Sequence, residues 1–316
     1  MNDDQRFGRR PGPLRQALAR RWRERLGIGA DAGSTDQDGM RAAATRLRFG
    51  YEPPAGVRRL GDLAYGPHPR QCIDVYVPQA QPSSAAALLV AVHGGGWARG
   101  DKRHAPSIAA RVEHWCAGRG WIVVSVNYRF TPDACPREQA ADVARALAFV
   151  QAQAPRWGGD AQRVVLMGHS AGAHLAALAS VDDRLRDEAG AASWSATVAL
   201  DGAALDVPRL MREPHLPLFD RAFGGDTAAW AEASPTLVMR AAPPMPMLML
   251  MVHAARRLDS GKQAQAFAQR AAELGGEVEV LPADLDHARI NALAGAPGPL
   301  TVAIDGFLTR ALVRRP

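Results

Sequence analysis

Five consecutive residues near the middle of the chain have the types and the order that nucleophilic chemistry needs. They read GHSAG at positions 168–172, between a predicted strand at 163–167 and an alanine-rich helical stretch. A serine at such a strand-to-helix turn occupies a sharp bend, and its flanking glycines let neighbouring backbone come close. The start of the helix favours the negative charge that develops when the hydroxyl attacks a carbonyl. We therefore predict that Ser170 is a nucleophile; the alternative is a serine that only caps the helix.

A second glycine-rich motif, HGGGW at positions 93–97, follows a predicted strand at 87–92. Three consecutive glycines leave backbone N–H groups free to converge on an oxyanion, and the sites of open parallel sheets lie at the carboxyl ends of their strands. Both motifs therefore fall on the same edge of the predicted sheet. We predict that the N–H groups of Gly94, Gly95 and Ala171 bind the oxyanion.

From about residue 62 to residue 312 the chain resembles the α/β-hydrolases, in the region between hormone-sensitive-lipase-like esterases and kynurenine-formamidase-like hydrolases. The residues that carry this resemblance are the two motifs, GDK at 100–102 and VNYR at 126–129. Trp97 followed by GDK resembles the formamidase-type esterases more than the lipase-like ones. The resemblance implies a catalytic triad in which a serine, an acid and a histidine follow one another along the chain.

The base that activates the serine is expected late in the chain, as the resemblance requires. After His253 the sequence contains a single histidine, His287, which follows a predicted strand at 277–281 by a short loop. An imidazole at the carboxyl end of a strand can take the proton of the nucleophile. We therefore predict that His287 is the general base; the alternative is a surface histidine of the loop.

The acid that orients this histidine is chosen by elimination. The loop after the predicted strand at 247–252 contains one carboxylate, Asp259, before the next helix is well under way. We therefore predict Asp259 as the acid of the triad. The spacing usual in the resembling family, counted from Ala254, ends near Arg257 instead, and Asp284 and Asp286 remain as alternatives.

Several side chains are expected to surround these groups. Trp97 and His169 are the candidate substrate-binding residues; the alternatives are core packing for Trp97 and a supporting role behind the site for His169. His93 and the run 127–129 are expected to brace the oxyanion loop. Because the sequence has no HExxH pair, EF-hand loop or P-loop, we expect no metal and no cofactor.

The elements that must position these residues alternate between β-type and helical runs from about residue 62 onward. Such alternation predicts an α/β fold with a doubly wound, mostly parallel sheet and helices on both faces. An irregular stretch at 206–230 is interpreted as an insertion near the mouth of the site. The predicted strands are 72–77, 87–92, 121–126, 163–167, 197–200, 247–252 and 277–281, and the predicted helices are 107–117, 137–153, 171–180, 261–274 and 300–312.

Composition and charge set limits on the class of protein. The chain has 316 residues, of which 47% are hydrophobic and 22% charged, enough for one large domain with a sizeable core. The net charge of +6 arises within residues 1–60, where 13 arginines face 7 acidic residues. Since the remaining chain is balanced, we expect no nucleic-acid partner. With no apolar run long enough for a membrane span and no readable signal peptide, we expect a cytoplasmic protein, and a homodimer remains open.

The arginine-rich N-terminal segment forms its own predicted unit, residues 1–61, ahead of a catalytic domain at 62–316. Apolar residues recur at every fourth position between 14 and 26 among arginines, which is the pattern of a basic amphipathic helix. Packing of this helix on its own domain, where it could cap the site, is one interpretation. Docking on a membrane surface or on a partner is the other.

Together these features predict a serine hydrolase that cleaves carboxylic esters of small to medium acyl substrates through an acyl-enzyme. The expected partner is a small-molecule ester or amide. An aryl formamidase, which would cleave an amide with the same residues, is the first alternative. The second is a degenerate hydrolase fold that serves as a non-catalytic binding module.

Overall fold

The structure is a computed structural model that describes residues 50–80, 84–240 and 248–313. These residues form one eight-stranded sheet with helices packed on both faces. The predicted amphipathic helix at 14–26 and most of the predicted N-terminal unit lie outside the described residues.

The strands and helices alternate along the chain as follows. The strands are β1 (Val57–Ala64), β2 (Cys72–Pro78), β3 (Ala86–Val92), β4 (Ile122–Val126), β5 (Gly159–His169), β6 (Ala196–Leu200), β7 (Leu248–Ala254) and β8 (Glu277–Ala283). The helices are α1 (Ala105–Arg111, continued by a π-helical turn Val112–Gly118), α2 (Pro136–Gln153, continued by a 3₁₀ turn Ala154–Trp157), α3 (Ala171–Val181), α4 (Asp183–Ala189), α5 (Val207–Arg212), α6 (Pro217–Phe223), α7 (Thr227–Glu232), α8 (Pro235–Val238), α9 (Leu258–Glu273), α10 (His287–Leu293) and α11 (Pro299–Val313).

The strand order explains where a site can form. The strand order in the sheet is β1-β2-β4-β3-β5-β6-β7-β8. Strand β2 pairs antiparallel with both β1 and β4, and the pairs from β4 to β8 in this order are parallel. Strand β3 lies between β4 and β5, so the order in which successive strands are added across the sheet reverses next to β3. Open parallel sheets bind ligands in the crevice at such a point, beyond the carboxyl ends of the strands. The HGGGW motif follows β3 at this position.

The apolar runs of the central strands account for the two-sided packing. Every residue of β3 and β4 is buried, as expected for strands covered by helices on both faces. One face packs on α2 and α3 through residues such as Val143, Leu147 and Leu175. The other face packs on the α1 region and α11 through residues that include Trp115 and Ile304.

The predicted α/β architecture is confirmed, and the seven predicted strands correspond to β2 through β8. Strand β1 is absent from the prediction, because it is a half-exposed edge strand in which Gly61 and Asp62 accompany a bulge. The predicted boundary between residues 61 and 62 falls inside this strand. Between β6 and β7, the irregular stretch predicted as an insertion contains the short helices α5 to α7, and α8 follows them. Among the described residues, no helix combines the length and the apolar character that crossing a bilayer requires.

Candidate active site

Ser170 stands at the bend between β5 and α3, where the sequence predicts a nucleophile. Its backbone has φ 56° and ψ −119°, in the left-handed half of conformational space that residues other than glycine rarely adopt. Such a conformation costs about 1–3 kcal/mol and persists only where the surroundings enforce it. Here the Ser170 N–H donates to the Leu200 carbonyl at 3.0 Å, and the Ser170 carbonyl accepts from Ala173 N (3.0 Å).

The two glycines of the GHSAG motif are required by close packing of backbone. A Cβ atom on Gly172 would lie 2.3 Å from the Val92 carbonyl oxygen, and one on Gly168 would lie 2.1 Å from the Gly172 carbonyl oxygen. Both distances are far inside van der Waals contact. The glycines therefore let α3 approach the end of β3, which brings Ser170 next to the HGGGW loop.

The HGGGW loop lies against the serine. A Cβ atom on Gly94 would lie 3.0 Å from Ser170 Cβ. Within the described ranges, neither Gly94 nor Gly95 donates a backbone hydrogen bond, and the first N–H groups of a helix such as Ala171 in α3 have no intrahelical acceptor. The structure thus brings the predicted oxyanion donors to the neighbourhood of the predicted nucleophile.

Side chains brace the loop from below, as the sequence indicates. The Tyr128 hydroxyl donates to the His93 carbonyl at 2.9 Å, and His93 stacks on the Tyr128 ring with centroids 4.6 Å apart. His93 Nε2 lies 3.1 Å from Asn127 Oδ1. Burial lowers the pKa of His93 to about 4, so the ring is neutral at ordinary pH.

His287 begins helix α10, which is absent from the predicted elements, and faces a buried carboxylate. Asp286 caps this helix by accepting from Arg289 N at 2.8 Å. His287 Nδ1 donates to Asp201 Oδ2 at 2.6 Å. Asp201 directly follows β6, so the carboxylate that contacts His287 lies between Ser170 and His287 along the chain and is not Asp259.

The structure does not bring Asp259 to His287, contrary to what its prediction as the acid requires. Asp259 lies in the first turn of α9 and is exposed to solvent, because the turn before α9 directs Ser260, not Asp259, toward the site. Asp284 and Asp286 are engaged elsewhere: Asp284 pairs with Arg256 at 3.3 Å on the surface, and Asp286 caps α10. The sequence does hold a signal for Asp201, since a carboxylate directly after a buried strand lies on the site edge of the sheet. Elimination within the loop after β7 passes over it.

Both oxygens of Asp201 receive hydrogen bonds, although the side chain has no solvent exposure. Oδ1 accepts from the Ala254 N–H and the Ser260 hydroxyl, each at 3.0 Å. Oδ2 accepts from His287 and from Arg257 Nη1 at 2.5 Å. Burial alone would raise the pKa of this carboxyl, but the hydrogen bond from His287 and the positive charge of Arg257 outweigh it and hold the pKa well below the ordinary range. Asp201 is therefore ionised at neutral pH.

His169 supports the predicted base from below. Its Nε2 donates to the His287 carbonyl at 2.9 Å, and the two rings are 4.5 Å apart. Because a carbonyl only accepts, Nε2 carries the proton and Nδ1 is an acceptor. Burial, together with the neighbouring His287 and Arg111, holds the pKa of His169 well below its usual value. This geometry favours the supporting role, and contact with substrate stays a prediction.

Trp97 packs behind the loop, contrary to the prediction that it lines the substrate pocket. Its side chain is 2% exposed. The indole Nε1 donates to His174 Nδ1 at 3.2 Å, and the ring contacts Phe219 and Phe223 of α6. The physical reason is that a large apolar ring next to three glycines fills the space under the loop, so Trp97 belongs to the core.

Ser170 is half-buried, and within the described ranges its hydroxyl makes no hydrogen bond. The ring of His287 packs against the ring of His169, the residue that precedes the serine, with the ring centroids 4.5 Å apart. In substrate-free enzymes the contact between nucleophile and base is often long and tightens when substrate binds. The arrangement therefore has the parts of a nucleophilic site: a strained serine, an imidazole oriented by a buried carboxylate, and free backbone donors.

Sequence comparisons find relatives that carry the names of ester hydrolases. The family model BD-FAE matches residues 73–200. The chain is 32% identical over 152 residues to a probable isoprenylcysteine alpha-carbonyl methylesterase of Oryza sativa subsp. japonica, covering 48% of this chain and 36% of that protein. It is 38% identical over 124 residues to the esterase LipQ of Mycobacterium tuberculosis, covering 38% of this chain and 28% of that protein. The chain thus spans about a third of the length of the curated relatives that it matches.

Structural comparisons extend the likeness to nearly the whole chain. Esterase B from Lactobacillus rhamnosis superposes with a TM-score of 0.65 at 20% identity, covering 88% of this chain and 92% of that one. A truncated carbohydrate esterase from gut microbiota superposes with a TM-score of 0.68 at 17% identity, covering 84% and 100%. At these identities the likeness establishes the fold. The chain has the α/β-hydrolase fold, and the relatives that are similar to it in sequence carry the names of esterases.

Proposed function

We propose that the protein is a serine hydrolase that cleaves carboxylic esters through an acyl-enzyme. Ser170 is the nucleophile, His287 the general base and Asp201 the acid that orients it. The observation that carries the proposal is the 2.6 Å hydrogen bond from His287 Nδ1 to the buried Asp201 carboxylate, on the sheet edge where Ser170 occupies its strained bend. The relatives of similar sequence carry the names of ester hydrolases, which supports a carboxylic ester as the class of substrate.

The hydrogen bond to Asp201 fixes which nitrogen of His287 acts as the base. Because Nδ1–H is held by the carboxylate, the lone pair of the neutral ring lies on Nε2. Nε2 takes the proton of Ser170 as its oxygen attacks the ester carbonyl, and the ionised Asp201 stabilises the imidazolium that forms. The same proton then goes to the departing alkoxide, which leaves as the alcohol and yields the acyl-enzyme. Water, deprotonated in the same way, completes the hydrolysis.

The oxyanion of the tetrahedral intermediate is bound by backbone N–H groups. We assign this role to Gly94, Gly95 and Ala171, because the loop containing the first two lies against Ser170 and the third begins α3. Each well-placed donor of this kind contributes roughly 3 kcal/mol to the transition state. The charge is stabilised by dipoles that the fold holds in place before the reaction begins.

The inserted helices favour substrates of small to medium acyl size. Helix α6 lies over the oxyanion loop, where Leu218 Cδ1 is 3.8 Å from the position of a Cβ on Gly96. Behind it, Phe219 and Phe223 pack on Trp97. Because α6 lies this close to the oxyanion loop, we expect butyrate esters to be cleaved faster than long-chain esters.

The direct test replaces the nucleophile. The Ser170→Ala variant is expected to lose p-nitrophenyl butyrate hydrolysis and labelling by a fluorophosphonate probe, while its circular dichroism stays that of the wild type. Ser193→Ala is the matched control, because Ser193 is exposed and distant from the sheet edge that carries the site. This control should retain full activity.

The same assays separate an esterase from a formamidase and from a non-catalytic module. An aryl formamide included in the substrate panel distinguishes a formamidase, which would cleave it in preference to the ester. A wild-type protein that neither hydrolyses the panel nor reacts with the probe would be the non-catalytic module and would contradict the proposal. Equal turnover by Ser170→Ala and wild type would contradict the assignment of the nucleophile.

A further inference from the structure

An arginine lies in direct contact with the acid of the proposed triad. Arg257 precedes α9, and its side chain is 13% exposed. Its Nη1 is 2.5 Å from Asp201 Oδ2, 3.4 Å from the Asp201 carbonyl oxygen and 3.0 Å from His287 Nδ1. One carboxylate oxygen therefore receives both the imidazole and the guanidinium.

Building on the proposed function, we propose that Arg257 is a positioning residue that fixes the Asp201 carboxylate and lowers the pH at which the site becomes active. The guanidinium neutralises the charge of Asp201 locally. An imidazolium at His287 then faces a carboxylate that is already paired, and it lies about one hydrogen-bond length from a second cation. The neutral, catalytically competent form of the base is favoured as a result.

The contact between the two nitrogens has a definite meaning. Arg257 Nη1 and His287 Nδ1 both carry protons when His287 donates to Asp201, so neither can accept from the other. Their 3.0 Å approach is tolerated because both donate to the same oxygen. Protonation of the His287 ring adds a second positive charge next to the Arg257 guanidinium. Without that guanidinium, the Asp201 carboxylate would stabilise the charge of the ring.

The remaining charged or titratable groups around His287 stay constant in the comparison. His169, below the ring, is neutral and donates to the His287 carbonyl. Arg111 of α1 binds the carbonyl and the side-chain oxygen of Asn291 in α10, each at 3.0 Å. Asp286 accepts from Arg289 N at the start of α10. A change at position 257 alone therefore reports the effect of that guanidinium.

The positions of the two loops account for an arginine beside the Asp201 carboxylate. Arg257 lies in the turn between β7 and α9, and the carboxylate that it contacts comes from the end of the neighbouring strand β6. The two loops supply groups of opposite charge to one another. Ser260, three residues beyond the arginine, completes the contact by donating to Asp201 Oδ1 at 3.0 Å.

The test uses three variants of the full chain: Arg257→Gln, Arg257→Lys and Arg256→Met. Glutamine keeps a donor for Asp201 but removes the charge, lysine keeps the charge, and Arg256 is the neighbouring exposed arginine. The acid limb of log kcat/KM for p-nitrophenyl butyrate is expected to move upward by about one pH unit in Arg257→Gln. The sign follows because removing a nearby cation favours the imidazolium. Arg257→Lys should move it by less, and Arg256→Met should leave it unchanged.

A second readout is independent of turnover. The titration midpoint of the His287 ring, followed by NMR of the ¹⁵N-labelled imidazole, should rise by a similar amount in Arg257→Gln. Unchanged midpoints in both measurements, with the variant folded by circular dichroism, would overturn the role of Arg257. If the wild type has no esterase activity but the NMR midpoint still rises in Arg257→Gln, the proposed function would be contradicted and the pairing of Arg257 would be supported. Should Arg257→Gln fail to fold, Arg257→Lys with a midpoint raised by a full unit would also overturn the proposal, since it keeps the charge.

Discussion

The two halves of the candidate site are held in place in different ways. The nucleophile half, Ser170 with the HGGGW loop, is fixed by backbone hydrogen bonds and by glycines that admit close backbone contacts. The base half, His287 with Asp201, is fixed by the Ala254 N–H at the end of β7 and by the side chains of Arg257 and Ser260 at the start of α9. A contiguous motif encodes the first half. The second half is assembled from residues that are distant in sequence: Asp201 and His287 are 86 positions apart.

The largest effect is expected from the acid of the base half. Asp201→Asn should lower kcat/KM by about four orders of magnitude, because an amide cannot hold the Nδ1–H tautomer or stabilise the imidazolium. Asp259→Asn, at the exposed position in α9, is the matched control and should stay within twofold of wild type. A large loss in Asp259→Asn with an active Asp201→Asn would reverse the assignment of the acid. The measurement is steady-state hydrolysis of p-nitrophenyl butyrate.

In the nucleophile half, backbone spacing should decide the outcome. Gly172→Ala introduces a Cβ atom 2.3 Å from the Val92 carbonyl oxygen, so α3 or the end of β3 must shift. Since misplacement of a reacting group by an ångström costs about 100-fold, we expect a loss of that order in kcat/KM together with a lower melting temperature. Gly225→Ala is the control, because a Cβ there meets nothing within 4 Å. Wild-type kinetics in Gly172→Ala would show that the close contact does not position the serine.

The contact that joins the two halves should have the smallest effect. His169→Phe keeps a ring of similar shape under His287 but removes the Nε2–H donor to the His287 carbonyl. The loss of one neutral hydrogen bond is worth about 1 kcal/mol, so kcat is expected to fall about fivefold. A change in KM larger than the change in kcat would indicate that His169 contacts the substrate instead, as its place beside the nucleophile in the sequence predicts.

The same contrast explains how much of the molecule can be predicted from the sequence. Ser170, the HGGGW loop and the strands β2 to β8 are predictable because their signals are local: a run of buried apolar residues, or glycines where backbones must meet. Asp201 escapes prediction because its role depends on which strand ends beside β7, and elimination within one loop finds only Asp259. The sequence leaves Trp97 between pocket lining and core packing, because its side-chain direction is decided by the aromatic residues of α6, which no motif records.

The hydrogen bond between His287 and Asp201 is the central claim, and its proton reports on it most directly. A strongly hydrogen-bonded imidazole Nδ1–H gives a low-field resonance in the proton NMR spectrum of the substrate-free protein. We predict that this resonance is present in the wild type, is retained in Asp259→Asn and disappears in Asp201→Asn. Its survival in Asp201→Asn, or its loss in Asp259→Asn, would contradict the account.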